Sequence, residues 1–209
     1  FNNNGYTTTN TVGDSKVDGN DYVSWAFKST LKFFDVVTYS GQNTDLALSH
    51  NLGVAPGMVI VKRTDTTGDW YVYHRSLNLS ENLTLNSTGD VGGNNFWTSS
   101  APSSTVFNID GNRAAINTSG GTYIAYLFGH ETDADSLIQC GSYTGNGSAT
   151  GPTVTLGWQP QWIMTKRASN GTSNWDIYDS TRGIPDGAGD LRLEANTSDA
   201  ESTPGVDRV

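Results

Sequence analysis

The sequence predicts an all-β protein made of tandem antiparallel β-sandwich units of the jelly-roll or concanavalin-like type. Short apolar and β-branched runs alternate with Asn-Gly and Asp-Gly pairs, which favour tight turns between strands. No window keeps the i, i+3, i+4, i+7 apolar spacing of a helix over three turns. One long phrase also occurs twice, about a hundred residues apart, and such a period is typical of tandem domains.

The two copies of this phrase align at a nearly constant spacing. Tyr39 matches Tyr143, 104 residues later. The other matches at this spacing are Leu52 with Leu156, Pro56 with Pro160, and Lys62 with Lys166. Trp70 matches Trp175 at a spacing of 105, after a loop that is one residue longer in the second copy. Surface loops tolerate such insertions, so the alignment indicates a true structural repeat.

Six strands follow from the apolar runs, and turns separate them. The predicted strands are Phe34 to Tyr39, Gly57 to Lys62, Trp70 to His74, Tyr123 to Phe128, Leu137 to Tyr143 and Gln161 to Lys166. The predicted turns are at Asp110, Asn146, Asn170 and Asp186. Because residues 58–61 are apolar at every position, we expect their strand to lie centrally, between two layers.

A further match sets the domain boundaries. Tyr22–Phe27 resembles Tyr123–Phe128 at a spacing of 101. We therefore predict the final strand region of a preceding unit at 1–31, a complete β-sandwich repeat at 32–130, and a second, C-terminally incomplete repeat at 131–209. The chain is expected to be a section of a longer repeating protein. The second repeat should have an open sheet edge, and a segment 22–27 alone in solvent, without a sheet partner, would contradict these boundaries.

Charge and length exclude several function classes. The chain has 12 Lys and Arg against 21 Asp and Glu, a net charge of −9, which repels nucleic-acid phosphates. Its longest apolar stretches are too short to cross a bilayer, so we expect no membrane insertion. The single cysteine, Cys140, cannot form an internal disulfide. It aligns with Val36, which predicts a buried structural thiol.

Glu131, Asp133 and Asp135 are the candidate metal ligands. Closely spaced carboxylates supply the oxygen atoms that calcium prefers. The run lacks the full twelve-residue pattern of a calcium loop, so a solvated interdomain linker is the alternative interpretation. Apart from this candidate calcium ion we expect no cofactor, since the three histidines lack a metal-binding spacing.

Residues that differ between the copies are the better candidates for ligand binding. The loop 92–100 carries adjacent aromatic rings among amides and hydroxyls, a mixture that can stack on a sugar and bond its hydroxyl groups. The candidate glycan-binding residues are Asn94, Asn95, Phe96, Trp97 and, in a separate turn, Trp158. The alternative, which we favour for the two rings of the loop, is that Phe96 and Trp97 fill the edge of the sandwich.

Three stretches resemble tandem modules of bacteriophage virion proteins, especially tail-fibre and other host-facing appendage proteins of marine phages. They are SHNLGVAPGMVIVKRTDTTGDWYVYHRSL, SGGTYIAYLFGH and IQCGSYTGNGSATGPTVTLGWQPQWIMTKRAS. The resemblance implies a β-sandwich with a structural or adhesive role. It supplies no catalytic residue.

We therefore expect a virion structural protein, a segment of a tail fibre or similar appendage, that is extracellular when assembled and is not an enzyme. Its expected partners are other copies of itself, other virion proteins and a host-surface glycan. A capsid-decoration or head-fibre protein is one alternative. A polysaccharide-degrading enzyme on the appendage is another, and it would need two carboxylates converging in a cleft.

Overall fold

The computed structural model describes residues 5–6, 19, 21–98, 100–148, 151–184 and 190–203, and these form an all-β fold with antiparallel sheets, as the sequence predicts. The predicted turn at Asp186 lies outside them. No helix among them is long and apolar enough to span a membrane. The elements are β1 (Phe34–Ser40), β2 (Leu46–Ser49), β3 (Met58–Arg63), β4 (Trp70–His74), β5 (Leu83–Thr84), β6 (Val106–Ile109), α1 (Ala114–Asn117), β7 (Thr122–Phe128), β8 (Trp162–Lys166), β9 (Trp175–Asp179) and β10 (Leu193–Glu194).

The first repeat forms a five-stranded sheet in the order β1-β7-β3-β4-β5. The last strand of the repeat, β7, therefore lies between β1 and β3. Phe128 of β7 is opposite Phe34 on one side and Met58 on the other. β7 thus pairs with β1 on one side and on the other with β3, which pairs in turn with β4.

The sheet is covered on both faces, which confirms the central position predicted for residues 58–61. Val59 and Val61 point into one core, whereas Met58 and Ile60 point into the other. The first core lies under the β2–β6 ribbon and α1. Its fully or nearly fully buried members include Leu52, Phe107, Ile109, Ile116, Tyr123 and Leu127.

The second core joins the two repeats, and we call it the shared core. Its members from the first repeat include Phe34, Ile60 and Trp70, and its members from the second include Ile138, Met164 and Trp175. These residues correspond to one another in the sequence alignment, so the two copies bury the same face against each other. Burial of matched apolar faces is a strong source of stability because each face would otherwise be exposed.

Hydrogen bonds to backbone carbonyls at the edge of the shared core hold the second repeat against the first. The indole Nε1 of Trp175 donates to the carbonyl oxygen of Thr84 at 3.0 Å. The ammonium of Lys166 donates to Thr88 O at 3.1 Å, and Val91 N donates to Ala168 O at 3.0 Å.

The second repeat forms a smaller sheet in the order β10-β9-β8, and here one predicted strand is wrong. Residues 137–143 form no strand in the structure. Their counterpart β1 pairs with β7, and the described part of the second repeat contains no counterpart of β7. Without that partner, the segment has no ladder to join.

The predicted strand Tyr22–Phe27 is also absent. Residues 21–29 lie outside every strand and are exposed. The domain boundary at residue 31 stays a prediction. Phe27 instead packs on the first repeat, with its ring 5.3 Å from that of Phe34.

Candidate functional site

The acidic run predicted to bind calcium lies in a cleft where the linkers that precede β1 and follow β7 meet. Leu31, Lys32 and Phe33 form one side, and residues 131–137 form the other. The ammonium nitrogen of Lys32 is 3.3 Å from Asp133 Oδ2 and 3.7 Å from Glu131 Oε2. The hydrogen bond to Asp133 is the main cause that raises the pKa of Lys32.

The structure does not assemble this run into a metal site. The Lys32 ammonium already supplies the positive charge that Glu131 and Asp133 face. Asp135 lines the same cleft. In the described ranges no three His, Cys, Asp or Glu side chains are grouped so that they could hold a metal ion. The interdomain-linker interpretation fits this geometry.

The two rings of the predicted glycan loop are buried, which corrects their assignment as sugar-stacking residues. Phe96 is 6% exposed and Trp97 is 4% exposed. Phe96 packs on Tyr71 at 4.4 Å between ring centroids, and Trp97 packs edge-on against Tyr73 at 5.7 Å. The indole of Trp97 donates to Glu81 O at 3.1 Å. These rings fill the first core beside β4, so their faces are not available to a ligand.

The two asparagines of the same loop hold it in place through hydrogen bonds. The Asn94 side chain donates to Asn82 Oδ1 at 3.2 Å, and Arg113 Nε donates to the carbonyl oxygen of Asn95 at 3.1 Å. Asn95 adopts a φ of 48°, in the left-handed region that asparagine tolerates. The loop is therefore a structural cover of the core.

Trp158, the remaining aromatic candidate, is half-buried and outside every strand. Its indole Nε1 is enclosed without a hydrogen-bond acceptor in the described part of the chain. It makes no ring contact with the loop residues within that part. The structure therefore does not bring the five candidate glycan residues together.

A surface groove that the sequence did not indicate lies where β1 and β3 end and β7 begins. Its lining includes the hydroxyl residues Thr38, Ser40, Thr64 and Thr122. We call these four residues and their surroundings the hydroxyl groove. The Thr64 and Thr122 hydroxyl oxygens are 2.7 Å apart and share a hydrogen bond. Their residues are distant in sequence, so only the strand order reveals that the hydroxyls converge.

A fixed ion pair borders the hydroxyl groove. Arg63 Nε is 2.8 Å from Asp65 Oδ1, and the same oxygen accepts a hydrogen bond from Thr122 N at 3.3 Å. The hydrogen bond from Arg63 is the main cause that lowers the pKa of Asp65 to about 2. Both groups are therefore charged at neutral pH. Together with the hydroxyls they offer donors and acceptors suited to a ligand rich in hydroxyl groups.

The only thiol is buried in the shared core, as the sequence predicts. Cys140 is packed so closely on Gly57 that a Cβ on that glycine would lie 2.6 Å from the Cys140 Cβ. The Cys140 amide donates to His130 Nδ1 at 3.1 Å, a contact that their spacing did not indicate. Burial raises the pKa of the thiol to about 12 and lowers the pKa of His130. Since a thiolate is the reactive form, this pair is structural.

The family model of a domain of unknown function, DUF7483, matches residues 1–209, so the chain belongs to that family. No curated protein and no solved structure matches the chain.

Proposed function

We propose that this member of the DUF7483 family is a structural module of a bacteriophage virion, a segment of a tail fibre or a similar appendage. The observation that supports a structural role most directly is the shared core. Corresponding residues of the two copies meet there: the half-buried Met164 and Ile138 pack against the cluster that contains their buried counterparts Ile60 and Phe34. The virion assignment itself rests on the resemblance of the repeated phrase to phage appendage modules.

A shared core suits an elongated particle component because it couples neighbouring repeats. Each repeat alone would expose a continuous apolar face, and soluble proteins rarely leave such a patch uncovered. Packing the face of one copy on the same face of the next removes the patch and joins the repeats rigidly. The net charge of −9 keeps the outer surface soluble when many copies assemble. The proposed partners are accordingly further copies and other virion proteins, in a non-enzymatic role.

Host-glycan attachment is the second part of the proposal, and the hydroxyl groove is its proposed location. Thr38, Ser40, Thr64 and Thr122 are exposed. A sugar presents several hydroxyl groups that can replace the mutual hydrogen bond of Thr64 and Thr122. The neighbouring Arg63 and Asp65 add charged hydrogen-bonding groups, which bind such ligands more strongly than neutral ones.

Electron microscopy tests the virion proposal. Antibodies raised against this chain, followed by gold-labelled secondary antibodies, should label the tail appendages of particles that carry the protein. Label on the head surface would instead support a capsid-decoration protein. Purified particles without label, in preparations where the chain is present in the infected cells, would contradict a virion role.

A glycan array tests the attachment proposal. We expect the wild-type chain to bind at least one host-surface glycan and Thr122→Val to lose that binding, because the substitution removes a groove hydroxyl while it keeps the β-branched shape. Thr153→Val, at an exposed position outside the groove, is the matched control. Equal binding by both variants would exclude the groove as the site.

A further inference from the structure

Within the described residues, the second repeat has a gap: no strand takes the place that the central strand has in the first repeat. In the first repeat β7 lies between β1 and β3. The corresponding segments of the second repeat are residues 138–143 and β8. No described strand lies between them, and β8 pairs with β9 alone in the described ranges. An edge strand of this kind presents a row of open backbone donors and acceptors.

One segment of the chain has the sequence of the missing strand. Tyr22–Phe27 (YVSWAF) aligns with residues 123–128 of β7 (YIAYLF) at a spacing of 101. It has large apolar side chains and lies outside all three sheets, with Trp25 42% exposed. An exposed segment of apolar and aromatic residues favours pairing with an open sheet edge, which would cover its side chains.

The end of this segment already lies at the entrance to the gap. The Phe27 ring packs edge-on against the Phe128 ring, with 5.9 Å between the centroids. Phe27 and Phe128 are corresponding residues, and so are Lys32 and Asp133, which are 3.3 Å apart. Contacts between corresponding residues define a local two-fold axis between the copies.

The axis passes between two corresponding linkers, one after Phe27 and one after β7. The linker after β7 leads into the second repeat at residue 138, and the linker after Phe27 leads into the first repeat at Phe34. The linkers cross closely, since Gly129 N donates to Phe33 O at 2.8 Å. A Cβ on Gly129 would lie 2.1 Å from Lys32 O. A two-fold operation that exchanges Phe27 with Phe128 and Lys32 with Asp133 would map β7 on the segment that ends at Phe27.

We propose that Tyr22–Phe27 pairs as the central strand of the second sheet, antiparallel to both β8 and residues 138–143 of the same chain, in a conformation that differs from the one described above, where both segments lie outside every strand. The pairings of β7 in the first repeat fix the register. Transferred to the second repeat, they place Phe27 opposite Trp162 and Ile138, Ser24 opposite Thr165 and Gly141, and Tyr22 opposite Arg167 and Tyr143.

This placement accounts for a difference between the two copies. Tyr39 is 8% exposed and stacks on Tyr123 of β7 within the first core, whereas its counterpart Tyr143 is 58% exposed. In the proposed register Tyr22 reaches Tyr143 in the way that Tyr123 reaches Tyr39. The same chain supplies the strand more readily than a second copy does, because a tethered segment has a high effective concentration at the edge. The inference is independent of the virion assignment.

A disulfide experiment tests both the occupant and the register. In a Cys140→Ala background, Ser24→Cys with Thr165→Cys is the in-register pair, and Ser24→Cys with Met164→Cys is the control that is one residue out of register. We expect about tenfold faster oxidation of the in-register pair, within monomers, since only directly opposed residues bring their Cβ atoms within disulfide reach. Equal rates, or disulfide-linked dimers in place of monomers, would overturn the proposal.

Hydrogen exchange of the wild-type chain gives a test that does not depend on any variant. A strand bonded on both sides has every amide protected, so the amides of residues 23–27 should exchange about 100-fold or more slowly than in an unfolded peptide of the same sequence. Exchange at the rate of that peptide would show that the segment stays outside the sheet.

Discussion

Tyr39 and Tyr123 stack across β1 and β7, with their ring centroids 5.0 Å apart and 13° between the ring planes. The Tyr39 hydroxyl also donates to the carbonyl oxygen of Ile116 at 2.7 Å. This bond links the main sheet to α1 through the first core. The pair therefore shows how β7 holds together two layers of the first repeat.

Removal of the Tyr39 hydroxyl should destabilise the protein. Tyr39→Phe keeps the ring stack but leaves the buried Ile116 carbonyl without this donor, so we expect the free energy of unfolding in urea to fall by about 1–2 kcal/mol. The control is Tyr6→Phe, at an exposed position outside both cores, which should change it by less than about 0.5 kcal/mol. Equal effects of the two substitutions would contradict the assigned bond.

Trp97 should behave as a core residue. Trp97→Ala is expected to lower the free energy of unfolding by about 3–5 kcal/mol, since the ring fills the first core. Trp97→Phe should cost less, because it removes mainly the hydrogen bond to Glu81 O. The exposed Leu137→Ala is the control and should have little effect. If Trp97→Ala left the urea midpoint unchanged, the ring would lie at the surface after all.

The ion pair beside the hydroxyl groove should give a defined pH dependence. The folded protein holds the pKa of Asp65 at about 2, below its ordinary value of 3.8, chiefly through the hydrogen bond from Arg63. A carboxyl group whose pKa is lower in the folded protein than in the unfolded chain stabilises the fold at pH values above its unfolded-state pKa. This contribution is lost as the pH falls toward 2. The stability difference between the wild type and Asp65→Asn should thus be constant above about pH 5 and shrink toward pH 2.

Arg63→Gln provides the check on that cause. This substitution removes the hydrogen-bond donor while Asp65 remains. The free energy of unfolding of Arg63→Gln should therefore approach that of Asp65→Asn at neutral pH, and it should no longer fall between about pH 5 and pH 2 through this pair. A wild-type and Asp65→Asn difference that stayed constant down to pH 2 would contradict the assigned pairing.

The thiol of Cys140 should be inert in the folded protein. Because burial raises its pKa to about 12, from an ordinary value of 9.0, the thiolate is scarce at pH 8. We expect an aromatic disulfide reagent to label it about 100-fold more slowly than Leu137→Cys in a Cys140→Ala background, which places a thiol at an exposed position. Labelling should become fast only in urea. Equal native rates would place Cys140 at the surface.

The sequence predicted the parts of the fold that depend on local pattern. Residues 58–61 are apolar at every position, and they are covered on both faces. Residues 137–143 have the same strand pattern as β1 but form no strand, because a strand also needs its partner. The hydroxyl groove brings together Thr38, Thr64 and Thr122 across three strands, and no local pattern encodes that order.

The aromatic loop shows the other limit of sequence reasoning. Phe96 and Trp97 stand among polar residues and resemble a binding loop, yet their rings are needed to fill the first core. Likewise, Glu131 and Asp133 resemble metal ligands until Lys32, a hundred residues earlier, is placed beside them. In both cases a partner distant in sequence decides the role.

The shared core is the central claim, and hydrogen exchange on Trp175→Ala tests it most directly. Trp175 belongs to the second repeat but is 3% exposed in the core that it shares with β3 of the first. If the copies share one core, the substitution should speed exchange in β3 and β9 alike, by about 100-fold for a cost of about 3 kcal/mol. Trp70→Ala, at the corresponding half-buried position, should accelerate exchange in β3 and β9 by a smaller factor. Loss of protection in β9 with β3 unchanged would contradict the claim.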